Sequence, residues 1–335
     1  MDYTGIFILV FSFIILLSMG VPIAFSIGIS GILTMLVSID SLPAFTTFAQ
    51  RMATGLDSFA LLAIPFFILA GNIMNSGGIA HRLIDFAKVL VGKLTGGLAY
   101  VNVIANMLFG AISGSAAAAA SAIGSIMGPE MKKENYDDNF SAAVNISSAT
   151  TGLSIPPSNV LIVYSLASGG ASITALFLAG YVPGILTGLA IMITAMSILI
   201  LKKDGIIGLV KALIKIIIVA AIIFAFVYGL IYAHDNFSDS LFRVIWITSI
   251  AAFIAFAVYK TVTNKEEARI GFKVFFDAIP SLFLLVIVIG GIVAGFFTAT
   301  EASAIAVLYA LILAMLYGEV KFKDLPDIIL RSVKT

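Results

Sequence analysis

Apolar residues fill this chain in long blocks, and short polar clusters separate the blocks. A bilayer-spanning helix needs about 20 apolar residues. Residues 5–37 predict either one tilted span or two short ones broken at Gly20-Val21-Pro22. Residues 59–76 predict the next span, and later ones are expected over 173–201, 213–232, 241–259, 275–297 and 302–317. Residues 77–93 follow another pattern. Ile79, Leu83, Ile84, Phe86, Ala87, Leu90 and Val91 recur at helical spacing, with His81, Arg82, Asp85 and Lys88 between them. That alternation predicts an amphipathic helix lying at the membrane interface.

Two blocks are broken by polar residues. Residues 97–112 and 116–131 are each short for a span, and Ser113-Gly114-Ser115 joins them, so 97–131 reads as a re-entrant hairpin with both ends on one side. Residues 139–169 read as a broken helix, interrupted around Gly152–Pro157. Pro156 and Pro157 remove two amide donors and keep the preceding residue out of helical geometry. Lipid cannot satisfy freed backbone groups, so such breaks survive only inside protein or beside a wet cavity. Paired breaks of this kind point to the binding site of a secondary transporter.

Positive charge fits the hairpin. Arg82, Lys88 and Lys93 precede it and Lys132 and Lys133 follow it. Lys202, Lys203, Lys211 and Lys215 fall on that side, as do Lys260, Lys265, Arg269, Lys273, Lys321 and Lys323. The basic side is the cytoplasmic one.

Composition agrees: 61% of the 335 residues are hydrophobic and 11% charged, against about 25% charged in soluble proteins. A net charge of +1 gives no reason to expect nucleic acid. Cysteine is absent, which excludes disulfides, thiol catalysis and thiolate metal sites. His81 and His234 are far apart in sequence, so no zinc site and no cofactor is expected. The N-terminus lacks the positive region of a cleavable signal.

The chemistry is expected at the breaks. Freed carbonyls, half-helix C-terminal ends and hydroxyls near Gly152–Ile155 suit sodium. The helix starting at Pro157 or Ser158 aims amides at the same place, and helix N-termini favour anions. Substrate contacts are expected from Ser113, Ser115, Asn145, Thr150, Pro157, Ser158 and Asn159. A bare proline kink explains Pro156-Pro157 but not these polar neighbours. Ser121 and Ser125 are expected to pack helices, as are the glycines of Gly110xxxGly114 and Gly124xxxGly128. Glu301 reads equally as a buried acid or a wet turn residue. An echo of Ala63–Leu69 in Ala278–Leu284 hints at an internal repeat.

Several segments carry a family resemblance: Ala63-Ile64-Pro65-Phe66-Phe67-Ile68-Leu69-Ala70-Gly71, Met74–Ile79, Ser113-Gly114-Ser115, Ile155-Pro156-Pro157-Ser158, Leu178–Gly184 and Thr298–Ser303. Together they resemble the large membrane subunit (DctM-like) of TRAP, or tripartite ATP-independent periplasmic, transporters. The resemblance implies an all-α, polytopic, elevator-type transporter of the bacterial inner membrane. It implies a periplasmic binding protein that delivers an organic acid, a small membrane subunit as partner, and sodium as coupling ion. Carried across by motif, one sodium site would use Gly110, Ser113, Gly152, Ile155 and Pro156, with Gly110 standing where some members have serine. Sialic acid, C4-dicarboxylates and sugar acids are the substrate classes implied.

The expected organisation is scaffold spans over 1–76, the interfacial arm helix over 77–94, and a transport domain over 95–170. Further spans over 171–273 follow, including a two-span insertion at 213–259, and a second repeat begins over 274–335. The resemblance implies that the second repeat is truncated, lacking the family's second hairpin, second Pro-Pro break and second sodium site. An intramembrane enzyme or a channel are the alternatives. The enzyme lacks paired carboxylates within spans, a metal cluster, or a serine with a base; a channel would conduct without saturation.

Overall fold

The computed structural model describes residues 3–94, 96–236 and 265–334. All regular structure among them is helical. Two compact units are present, Met1–Leu61 and Leu62–Thr335.

In the first unit, α1 (Tyr3–Ser18) and α2 (Ile23–Ser38) pack side by side, and α2 packs on α3 (Ser41–Leu56). The short-helix alternative for residues 5–37 is therefore the one realised. Gly20 makes the turn with φ 79°, a conformation glycine adopts without strain. Each 16-residue helix is about 24 Å long. Phe7, Phe11, Ile14, Phe25 and Ile27 are exposed, as lipid-facing side chains would be. Ser26, Ser30 and Thr34 return their hydroxyls to carbonyls of their own helix. The helix α3 was not foreseen; Pro43 and a string of threonines obscured it.

The second unit is built around α6. Its helices are α4 (Ala63–Ser76), α5 (Ile79–Val91), α6 (Gly97–Ser113), α7 (Ala116–Lys133), α8 (Asp138–Ala149) and α9 (Asn159–Ala167). They continue with α10 (Ile173–Asn236), α11 (Lys265–Val293), α12 (Ala299–Leu316) and α13 (Leu325–Lys334). Of the 17 residues of α6, 13 are buried, because α4, α5, α7, α8 and α10 all pack against it. Protein rather than lipid surrounds it, which is how two asparagines, Asn102 and Asn106, can lie inside.

Four described helices are long and apolar enough to cross a bilayer: Phe59–Ser76, Ile173–Ala212, Arg269–Val293 and Ala299–Leu316. The expected spans over 59–76, 173–201, 275–297 and 302–317 fall on them. Residues 213–232 continue α10 beyond a break at Gly205 (φ 67°). The span expected over 241–259 lies outside the described residues.

Small residues set the packing of α4 on α12. Ala302, Ala306, Ala310 and Ala314 form one buried stripe, and a Cβ on Gly77 would lie 2.6 Å from that of Ala314. The amphipathic α5 forms as expected, but its apolar side (Ile79, Leu83, Ile84, Ala87) is covered by α6 and α11. Lys88 ties it to the hairpin through an ion pair with Glu130 at 2.9 Å. The Arg82 guanidinium sits 3.5 Å from the centre of the Tyr317 ring.

Candidate ion and substrate site

The two breaks form where the sequence predicts them. α6 and α7 are joined by Gly114, at φ 62°, and Ser115, so the pair is a helical hairpin. Ser115 caps α7, its hydroxyl accepting from the Ala118 amide at 3.3 Å. After α8 the chain tightens into a 3-10 turn (Thr150–Leu153) and becomes non-helical before α9. The helical donors for the Gly152 and Leu153 carbonyls would come from positions 156 and 157, which are prolines. The Ser158 hydroxyl donates to the Leu153 carbonyl instead and also caps α9. The Gly152 carbonyl is left without that helical partner.

The breaks meet at two points. A Cβ on Gly110 would lie 2.6 Å from the Gly152 Cα, and one on Gly152 would lie 2.5 Å from the Gly110 Cα. The C-terminal ends of α6 and of the α8 segment therefore touch backbone to backbone. At the hairpin tip, a Cβ on Gly114 would lie 3.2 Å from the Asn159 amide group. This places the Asn159 side chain, at the start of α9, beside the turn that leads into α7. Ser113 is fully buried, one turn beyond Gly110 on the same face of α6, and a Cβ on Gly71 of α4 would press on it at 2.7 Å. The Gly110 carbonyl accepts the Gly114 amide at 2.8 Å and keeps its second lone pair.

Of the expected sodium ligands, Gly110 and Gly152 meet at this crossing, and Ser113 lies one turn along α6, its hydroxyl 3.4 Å from the Ser115 carbonyl and amide. Ile155 and Pro156 follow on the buried non-helical stretch. Of the expected substrate residues, Ser113, Ser115, Pro157, Ser158 and Asn159 lie at the tip and break. The Asn159 Oδ1 is buried without a hydrogen-bond partner. Thr150 is exposed and its hydroxyl returns to the Ser147 carbonyl at 2.7 Å. Asn145 lies two turns before Gly152 and donates to the Ala120 carbonyl at 2.8 Å.

The packing role of three glycines was missed although their spacing signals it. Gly180, Gly184 and Gly188 recur every fourth residue on α10. Their missing side chains let α10 lie against Ser154, Ile155 and Met107 respectively, with built Cβ positions at 2.5, 2.4 and 2.3 Å. Gly124 makes the close approach expected of it, to Asn145, whereas Gly128 has open space. Ser121 and Ser125 do not pack: both are exposed, on a face of α7 left uncovered among the described residues. Glu301 is exposed and closes a capping box with Thr298 at the start of α12, so the buried-acid reading is not the one realised.

Two cavities lie elsewhere. One of about 560 Å3 is lined by His81, Arg82, Asp85, Asp277 and Tyr317 with apolar neighbours. The other, about 460 Å3, lies beside Glu134, Tyr136, Lys202 and Lys203. Burial pushes the Tyr136 phenol above its ordinary pKa, against a backbone hydrogen bond at Leu98 that lowers it. No group of three or more acidic or histidine side chains that could hold a metal occurs among the described residues.

The family model of the tripartite ATP-independent periplasmic transporter, DctM component, matches residues 10–335. The chain belongs to the DctM family. The family is one of transporter components, and the four long apolar helices of this chain fit a place in the membrane. The chain is 47% identical to the uncharacterized protein YgiK of Salmonella typhimurium, over 100% of the chain and 65% of YgiK. It is 35% identical to the sialic acid TRAP transporter large permease protein SiaM of Vibrio cholerae, over 97% of the chain and 63% of SiaM. It is 31% identical to the C4-dicarboxylate TRAP transporter large permease protein DctM of Rhodobacter capsulatus, over 97% of the chain and 64% of that protein. The chain thus spans just under two thirds of the length of these relatives.

Proposed function

We propose that this chain provides the large permease subunit of a sodium-coupled tripartite transporter in the bacterial inner membrane. Its cargo is an organic acid anion delivered by a periplasmic binding protein, and a small membrane subunit is its partner. The observation that carries this reading is the pairing of helix ends. Two C-terminal ends meet at Gly110–Gly152, and the side chain of Asn159, which starts α9, lies against Gly114 just before the start of α7. C-terminal ends present carbonyl oxygens and partial negative charge; N-terminal ends present amides and partial positive charge. A sodium ion suits the first pair, through the oxygens of Gly110, Ser113, Gly152, Ile155 and Pro156. A carboxylate suits the second, through Ser115, Ser158, Asn159 and the amides behind them. Ion and substrate then sit next to one another on the same hairpin.

In this reading the hairpin and broken helix, residues 95–170, move as the transport domain of an elevator, and the amphipathic α5 is the arm that carries it. The names of two relatives, for sialic acid and C4-dicarboxylate, support a carboxylate cargo of that size, with sugar acids a third candidate class. The test is uptake into proteoliposomes by the full-length gene product with its binding protein and small subunit. Uptake should require an inward sodium gradient and no ATP. Equal uptake when potassium replaces sodium would sink the coupling.

A further inference from the structure

A buried amide network lies one turn away from the Gly110–Gly152 crossing, and the proposed site does not use it. Asn102, Asn106 and Gly110 are spaced by four on α6; Asn145, Ser148 and Gly152 are spaced by three and four on the α8 segment. Each trio therefore lies along one helix face. The two faces oppose each other and form a single seam with two layers, amides first and glycines next. In the amide layer the Asn106 Nδ2 lies 2.7 Å from Asn102 Oδ1, 3.0 Å from Asn145 Oδ1 and 2.9 Å from Ser148 Oγ. The Asn102 carbonyl is a further acceptor at 3.0 Å. Asn145 in turn donates to Ala120, so α7 is tied in as well. Asn102 and Asn106 are no more than 1% exposed, and Ser148 is 0% exposed.

An apolar seam between two helices has several registers of similar energy. A buried amide singles out the register in which its donors meet acceptors: the Asn106 Oδ1 already has no partner here, and a slip would strand the Nδ2 donors as well. The glycine layer needs that register. A slip of one turn moves a residue about 5.4 Å, which would carry Gly110 off Gly152 and set side chains against backbone. We propose that Asn106 is a positioning residue. It fixes the register of the broken helix on the hairpin and so sets the spacing of the oxygens around sodium. This inference rests on the sodium site proposed above.

The test measures sodium dependence of uptake by the full-length gene product with its partners in proteoliposomes. Asn106→Leu keeps similar volume and removes the amide. The half-saturating sodium concentration should rise about tenfold, the size of one lost charge-assisted contact, with lithium affected less, so the sodium-to-lithium preference changes. The exchange variant Asn106→Ser/Ser148→Asn, which restores an amide–hydroxyl pair across the seam, should recover part of the shift. A merely structural role would lower the maximal rate and leave half-saturation and ion preference unchanged, and that result overturns the proposal. If Asn106→Leu does not fold, Ser148→Ala decides by the same measure, a rise supporting the register role and no change overturning it. Ser113→Ala and Pro156→Ala run alongside. If those two leave sodium dependence unchanged, the site reading fails and takes this inference with it. If they shift it and Asn106→Leu does not, the register inference alone fails.

Discussion

Gly110 and Gly152 work by having no side chain. A methyl on either would lie within 2.6 Å of the other's backbone, and backbone cannot swing aside. Gly152→Ala should therefore push the α8 segment away from α6, costing about 1–3 kcal/mol as an overpacked core does. Thermal unfolding of the purified protein checks this, and an unshifted transition would mean the crossing is looser than drawn. Ser113 and Pro156 act differently. Neither substitution by alanine adds bulk or charge, so the protein should still insert. Ser113→Ala removes one oxygen, and Pro156→Ala restores an amide that can re-form the helical bond to Gly152. Losing a contact to a charged ion is worth roughly 1.5–3 kcal/mol, so sodium affinity should fall on the order of tenfold to a hundredfold. Ser121→Ala is the control, since that residue of α7 is exposed. Sodium-dependent transport by Ser113→Ala and Pro156→Ala that matches the parent would return the cluster to a kink lined by small residues.

Among the elements, the hairpin sets the topology of everything after it. With α6 and α7 folded back on each other, Lys93 and Lys133 should emerge on one membrane side. The chain has no cysteine, so Lys93→Cys and Lys133→Cys provide clean labels for an impermeant maleimide. Labelling from opposite faces would make residues 97–131 a crossing and invert the later spans. The hairpin and broken helix were legible because glycine and proline act on their own backbone, which sequence shows directly. The destination of an apolar face was not legible. The spacing of Ile79, Leu83, Ile84 and Ala87 shows that α5 has such a face, but period alone does not tell lipid from α6 and α11 as its cover. Ser121 and Ser125 failed for the same reason in reverse, their small size suiting either a packed or an open face. The helix α13 was passed over because it is short, although Leu325, Ile328 and Ile329 mark its apolar side. The asparagine network was half visible. Its residues stand in the sequence, but that Asn106 meets Ser148 across 42 positions is a fact of packing.

For the whole molecule, the helix-end pairs make a thermodynamic demand. One hairpin supplies an end to each pair: α6 to the proposed cation, α7 to the proposed carboxylate. Gly114 and Ser115 are all that separates these ends. An ion that orders the Gly110–Gly152 side must therefore order the Gly114–Asn159 side, and opposite charges at such range attract in a medium drier than water. Sodium should raise the affinity for the organic acid, and linkage requires the acid to raise sodium affinity by the same factor, typically about 5–150-fold. Titration calorimetry on the full-length gene product measures both directions: acid binding with and without saturating sodium, and sodium binding with and without acid. Equal factors well above one fit two sites sharing one hairpin. Acid binding indifferent to sodium would separate the two sites and leave the paired helix ends as packing alone.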